Sequence, residues 1–240
     1  MRLSERRALV IGAETAAGGA IARALGDAGA ALGLATMRAD EGVLAARRIA
    51  RERQAAGGTA AVYAFDVTLG QNVKVSTRQV AKELGGLDVL VSAPDRFVAA
   101  TLAETTDSEL AATLVANLHA HLFAVRAAAD EFRRGEGGRV LLVAHEAGES
   151  GLPGAAAYAA SQAGIVALGR SLAGELASRG VAVDVVVAGA AEWTVEGAGR
   201  TLVAMTGDEA TALGRLAIEL LDAPATETGR VLRLREWMTR

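Results

Sequence analysis

The stretch from Ala8 to Leu25 (ALVIGAETAAGGAIARAL) constrains the fold more than any other part of the chain. Leu9, Val10 and Ile11 form a continuous apolar run suited to a strand buried on both faces. Residues 16–28 then offer small and apolar side chains at helical spacing. Between the two, Gly12 can take backbone angles closed to other residues. Gly18 lets the helix lie close to the strand, or lets a phosphate approach the helix N-terminus, where the dipole favours negative charge. Thr15 stands at the same turn, where a cofactor phosphate would lie. Read alone, the segment is either a dinucleotide cradle or a tight turn with no ligand.

The rest of the chain repeats the pattern. Strands are predicted at residues 31–35, 59–65, 87–91, 139–143, 181–187 and 230–234, and helices at 40–54, 71–84, 105–134 (with an interruption), 155–179 and 209–221. Alternating buried strands and amphipathic helices imply right-handed crossovers. The expected fold class is therefore α/β: one Rossmann-like, doubly wound parallel sheet of about seven strands with helices on both faces, in a single domain spanning 1–240. Ligands of such sheets bind beyond the carboxyl ends of the strands, near the point where the strand order reverses. The loops after residues 11, 35, 65, 91, 143 and 187 are the ones to watch.

Composition narrows the partners. Charged residues make up 22% of the chain, the net charge is −3 and the basic residues are scattered, so no footprint for nucleic acid or an anionic membrane is expected. There are no cysteines, and His119, His121 and His145 form no zinc motif, so no metal site is expected. The N-terminus has no signal-like apolar core, and no run reaches the roughly 18 uncharged apolar residues of a membrane span, which points to a cytoplasmic protein. Lys74 and Lys82 are the only lysines.

Taken together, the landmarks resemble the short-chain dehydrogenase/reductase family over almost the whole chain. Gly12 and Gly18 match the first and third glycines of its cofactor turn, with Ala16 at the middle one. Asp66-Val67 matches the position that by resemblance holds the adenine ring. Asn117 matches the helix asparagine of the catalytic set, Tyr158 the catalytic tyrosine, and Gly189 the glycine beside the nicotinamide, with Ala188 in place of the usual proline. The resemblance implies alcohol/carbonyl interconversion with NAD or NADP on a small-molecule substrate. It also implies a homodimer or homotetramer formed through helices 105–134 and 155–179.

Several positions depart from the family pattern. Gln162 stands where the resemblance expects a lysine one helical turn after the tyrosine, so the tyrosine lacks the cation that lowers its pKa and should titrate nearer the phenol reference of about 10. His145 replaces the substrate-polarising serine and could donate a hydrogen bond or exchange a proton with Tyr158. The fourth strand runs into Ser92-Ala-Pro-Asp95 instead of a small neutral turn, which is expected to weaken cofactor binding. Asp95 and Glu146 read as solvent-facing loop acids that could also hold His145 in one tautomer, Trp193 as a lid anchor, and His121 as a packed residue. Thr36 and Arg38, after the second strand, suit a 2′-phosphate, whereas Glu14 would repel one, so the choice between NAD and NADP stays open. Residues 192–208, the lid position, are short and contain Gly197, Gly199 and Gly207, so an open cleft is expected. Two functions fit: an oxidoreductase with an altered acid/base set, or a catalytically silent relative that binds nucleotide or serves as a scaffold or oligomer partner.

Overall fold

The computed structural model describes residues 3–37, 42–132, 137–196 and 199–240. A seven-stranded parallel sheet is its centre. The strands are β1 (Arg7–Ile11), β2 (Ala31–Thr36), β3 (Ala60–Ala64), β4 (Val89–Ser92), β5 (Gly138–His145), β6 (Val181–Ala188) and, after a hairpin of β7 (Trp193–Glu196) and β8 (Gly199–Leu202), β9 (Val231–Arg233). Their order is β3-β2-β1-β4-β5-β6-β9, so the winding reverses between β1 and β4. The expected architecture is the observed one.

Period-two burial explains why the sheet needs helices on both sides. Leu9 and Ile11 of β1 enter one core, with α3 (Gly70–Leu84), α5 (Ala120–Glu131) and, after the single turn α6 (Ala147–Ser150), α7 (Ala156–Leu176). Ala8 and Val10 enter the other, with α1 (Ala16–Asp27), α2 (Gly42–Ala55) and α8 (Gly207–Asp222). The sheet is buried on both faces, so its ligands meet it only at the strand ends.

Three of the differences from the sequence reading have a clear physical reason. β4 begins at Val89 because the Asp88 carboxylate accepts from the Arg7 backbone N–H at 2.9 Å and from its guanidinium at 2.7 Å, which replaces a ladder contact. The helix predicted over 105–134 divides into α4 (Asp107–Leu114), a π-helical turn (Val115–His119) and α5. Such a turn inserts one residue and re-aims its side chains, and here it carries Asn117. The third difference is the β7–β8 hairpin at the lid position, where Thr194, Val195 and Thr201 supply β-branched residues and Trp193 pairs with Leu202.

Asp107–Glu131 has the length and mean hydropathy of a membrane span, which a search for uncharged runs passes over. Ala120, Ala124, Ala127 and Ala128 of this stretch lie in the protein core. At the opposite end of the sheet Asp184 is buried in β6, paired with Arg230 at 2.8 Å and Arg139 at 3.1 Å. That network joins β5, β6 and the approach to β9, far from the strand ends that form the cleft.

Candidate active site

The glycine turn behaves as its residues require. Gly12 sits at φ +82, and a Cβ there would lie 2.2 Å from the Ala93 carbonyl oxygen; one on Gly18 would lie 2.1 Å from the Gly12 oxygen. Only glycine fits either place. Thr15 caps α1: its Oγ1 accepts from the Gly18 N–H at 2.9 Å and donates to the Gly12 carbonyl at 2.9 Å. Ala16 and Ala17, the first helical residues, line a cavity of about 220 Å³ with Pro94, Asp95, His145, Gln162, Ala188 and Gly189. Leu202 to Met205 form another wall of it, so the short lid segment covers this end of the cleft instead of leaving it open.

A larger cavity, about 940 Å³, opens on the β2–β3 side and is lined by Glu14, Met37, Phe65, Asp66, Val67 and Asp95 among others. Asp66 holds its loop through an accepted bond from the Thr68 N–H at 2.8 Å, and Val67 is buried. Glu14 accepts from the Met37 N–H at 2.7 Å, which places its carboxylate over the end of β2. Thr36 and Ser92 are fully buried and line neither cavity. Arg38 lies outside the described residues.

Three of the four catalytic candidates, Tyr158, Gln162 and His145, come together around Asp95, which turns inward where the sequence suggested a solvated loop acid. Tyr158, fully buried, donates its hydroxyl to Asp95 Oδ1 at 2.9 Å. Gln162 Nε2 lies 3.5 Å from the same oxygen, while its Oε1 accepts from the His145 N–H at 2.9 Å. His145 Nδ1 accepts from the Ala147 N–H at 3.1 Å, which leaves the other ring nitrogen as the N–H of the neutral tautomer. Asn117 does not reach this group. Its amide clamps the Arg96 backbone, accepting from N–H at 2.8 Å and donating to C=O at 3.1 Å, and also donates to Ser161 at 3.2 Å. It thereby fixes the segment that carries Asp95.

Electrostatics follow from burial and from the missing cation. The Tyr158 phenol is pushed well above its ordinary value by burial and by the adjacent Asp95 carboxylate, further than the near-normal phenol expected from sequence. Neither lysine offsets this: Lys74 pairs with Asp130 at 3.6 Å, and Lys82 is exposed in the last turn of α3. Burial raises the Asp95 carboxyl to about 6, although the Tyr158 hydrogen bond opposes the rise. Burial also lowers His145 to about 4, with Arg235 adding to the effect. Phe97 stands edge-on to Tyr158 at 5.1 Å and His145 at 5.6 Å, so the phenol ring is enclosed and lines neither cavity.

The match to known proteins agrees with this layout. The short chain dehydrogenase family model covers residues 6–200. The chain belongs to the short-chain dehydrogenase/reductase family. Nodulation protein G of Rhizobium meliloti is 30% identical over 78% of this chain and 74% of its own length. D-threitol dehydrogenase of Mycolicibacterium smegmatis is 30% identical over 77% and 70%. A short chain dehydrogenase from Burkholderia cenocepacia, solved in complex with NADP, superposes with a TM-score of 0.83 at 25% identity, covering 97% of both chains. A blue fluorescent protein from a metagenomic library, in complex with NADPH, gives 0.81 at 25% identity, again over 97% of both. Within this short-chain dehydrogenase/reductase fold, Asp95 is the site residue that sequence reasoning misplaced, as a loop acid able to orient His145 instead of the partner of Tyr158. The signal was the Pro-Asp pair directly after a buried strand; the Asn117 clamp that helps hold its segment is supplied only by the folded chain.

Proposed function

We propose that this protein binds a nicotinamide dinucleotide along the cleft, and that its alcohol/carbonyl chemistry on a small-molecule substrate uses an altered acid/base set. The Tyr158–Asp95 hydrogen bond carries this reading: a carboxylate stands beside the phenol where the family resemblance expects a cation. The residues fit the cofactor. Gly12 and Gly18 let the turn close tightly on the backbone of Ala93 and of Gly12 itself, the N-terminal turn of α1 and Thr15 face the position of a diphosphate, and cavities lie on both sides of it. Asp66 and Val67 belong to the adenosine side, and Gly189 to the nicotinamide side. When bound, the nicotinamide supplies the hydride acceptor or donor.

The chain's own residues handle the proton and the positioning. Above about pH 6 Asp95 is an anion next to the cavity and can take a proton, whereas Tyr158 stays protonated and serves to orient it. Neutral His145 is the donor suited to a substrate oxygen. Thermal shift with NAD, NADH, NADP and NADPH in turn is the test, since a ligand that binds only the native state raises apparent stability by about 2.7 kcal/mol at a hundredfold excess over its Kd. A shift with one pair is expected, and it decides between NAD and NADP; no shift at millimolar concentration with any of the four overturns the reading.

The enclosure of Tyr158 favours a second reading, a catalytically silent relative that binds dinucleotide without turnover. Exchanging Gln162→Lys together with His145→Ser separates the two. New reductase activity from an inert protein supports the silent relative, and loss of an existing activity supports the altered enzyme. Self-association through α7 belongs to the same proposal. Its exposed Ala156, Ala160, Ala163 and Ala167 would allow close helix approach, and sedimentation measures the outcome.

A further inference from the structure

Asp95 occupies an unusual place for a charged loop residue. It lines both cavities, and its direction is fixed from three sides: Tyr158 donates to Oδ1 at 2.9 Å, Gln162 Nε2 approaches the same atom, and Asn117 holds the next residue's backbone by both its polar groups. Just before it, the Ala93 N–H is tied to the Ile11 carbonyl at 2.9 Å. The carboxylate is therefore held beside whatever fills the 220 Å³ cavity.

In the proposed binding mode the diphosphate lies at the start of α1. The larger cavity, with Asp66, takes the adenosine half, and the smaller one takes the nicotinamide half. The oxidised nicotinamide ring is a cation and the reduced ring is neutral. A fixed anion in a partly dry wall distinguishes two such rings strongly, because charge interactions there are screened far less than in bulk water.

Resting on the dinucleotide-binding reading, we propose that Asp95 makes this site select the oxidised, cationic nicotinamide over the reduced form, and that protonation of Asp95 abolishes the preference. The other groups around it do not mimic the effect. Tyr158 from α7 stays protonated above the ordinary phenol range, Gln162 is uncharged, and His145 at the end of β5, lowered to about 4, is neutral at pH 5 and above. Glu14, Asp66 and Arg96 line the larger cavity and act on the adenosine half, which both redox forms share. His121, packed beneath on α5 with burial lowering it to about 3, is also neutral in this range. The change in preference accordingly follows Asp95, whose burial places it near pH 6.

Calorimetric titration of the full chain with NAD, NADH, NADP and NADPH at pH 8 and pH 5, on wild type and Asp95→Asn, is the test. At pH 8 the ratio of reduced to oxidised Kd should be about tenfold higher, or more, in wild type than in Asp95→Asn, and the wild-type ratio should fall toward the variant's at pH 5. Equal ratios in the two proteins at pH 8, or a wild-type ratio unchanged between pH 8 and pH 5, would overturn the inference while leaving dinucleotide binding intact. No binding of any nucleotide by wild type would overturn both readings together. The wild-type pH series needs no substitution, so it decides the matter even if Asp95→Asn fails to fold.

Discussion

The two halves of the cleft differ in how far they keep to the family pattern. On the β1–β3 side, Gly12 and Gly18 sit where the backbone admits only glycine, and Thr15 and Asp66 are tied to neighbouring N–H groups, all at positions that match the family's pattern in sequence. On the β4–β5–α7 side the fold is equally regular, yet Asp95, His145 and Gln162 have joined Tyr158 in a new hydrogen-bonded group. Holding a dinucleotide depends on the backbone, which the α/β fold supplies; moving a proton depends on a few side chains, which can change without disturbing it. The proposed binding of dinucleotide rests on the first half, and the proposed proton route away from the phenol rests on the second.

This contrast can be tested from both sides. Gly12→Ala attacks the glycine-turn half, since the added methyl would meet backbone at 2.2 Å in a positive-φ conformation. A loss of about 3 kcal/mol or more in chemical denaturation is expected, together with loss of nucleotide-induced stabilisation. Stability unchanged by the substitution would show the turn to be looser than its geometry.

Acid should act on the other half. His121 and His145 are held neutral by the fold, with pKa values lowered to about 3 and about 4. Their contribution is complete above the unfolded value of about 6.5 and is lost as the pH falls toward the folded values. The His121 share should come to about 3 kcal/mol by pH 4, and a pH series of denaturation midpoints on His121→Leu should lack it.

Asn117→Ala leaves the Arg96 backbone groups without their side-chain partner and should cost about 1–2 kcal/mol. Amide exchange would reveal the effect around residues 94–97, with the glycine turn untouched. The smallest effect has the opposite sign. Asp95→Asn removes a buried charge whose folded pKa is raised, so it should stabilise the protein by about 1 kcal/mol at pH 8. The gain should shrink as the pH falls through 6 and vanish by pH 4.

Much of this was legible in the sequence because it rests on local pattern. Apolar strand runs, glycines at a strand-to-helix turn and the order of the landmarks announced the sheet and the cofactor half. Gln162 in place of a lysine also announced that the phenol lacks a cation, and His145 that the substrate-polarising serine is replaced. What the sequence hid is long-range. Asp95 and Tyr158 are 63 positions apart, and the segment carrying Asp95 is held in part by Asn117, which a π-helical turn presents to the Arg96 backbone. The hairpin over the smaller cavity was hidden too, since a segment read as a short open lid instead pairs Trp193 with Leu202 and Thr194 with Thr201.

The most direct test of the central claim is a spectrophotometric titration of the phenols, and the chain simplifies it by having two tyrosines. Both are raised above the ordinary phenol, Tyr63 by burial and its bond to Glu83, Tyr158 by burial and Asp95. The account predicts no phenolate absorbance in the folded protein at pH 10. A phenolate forming near neutral pH and absent from Tyr158→Phe would contradict it.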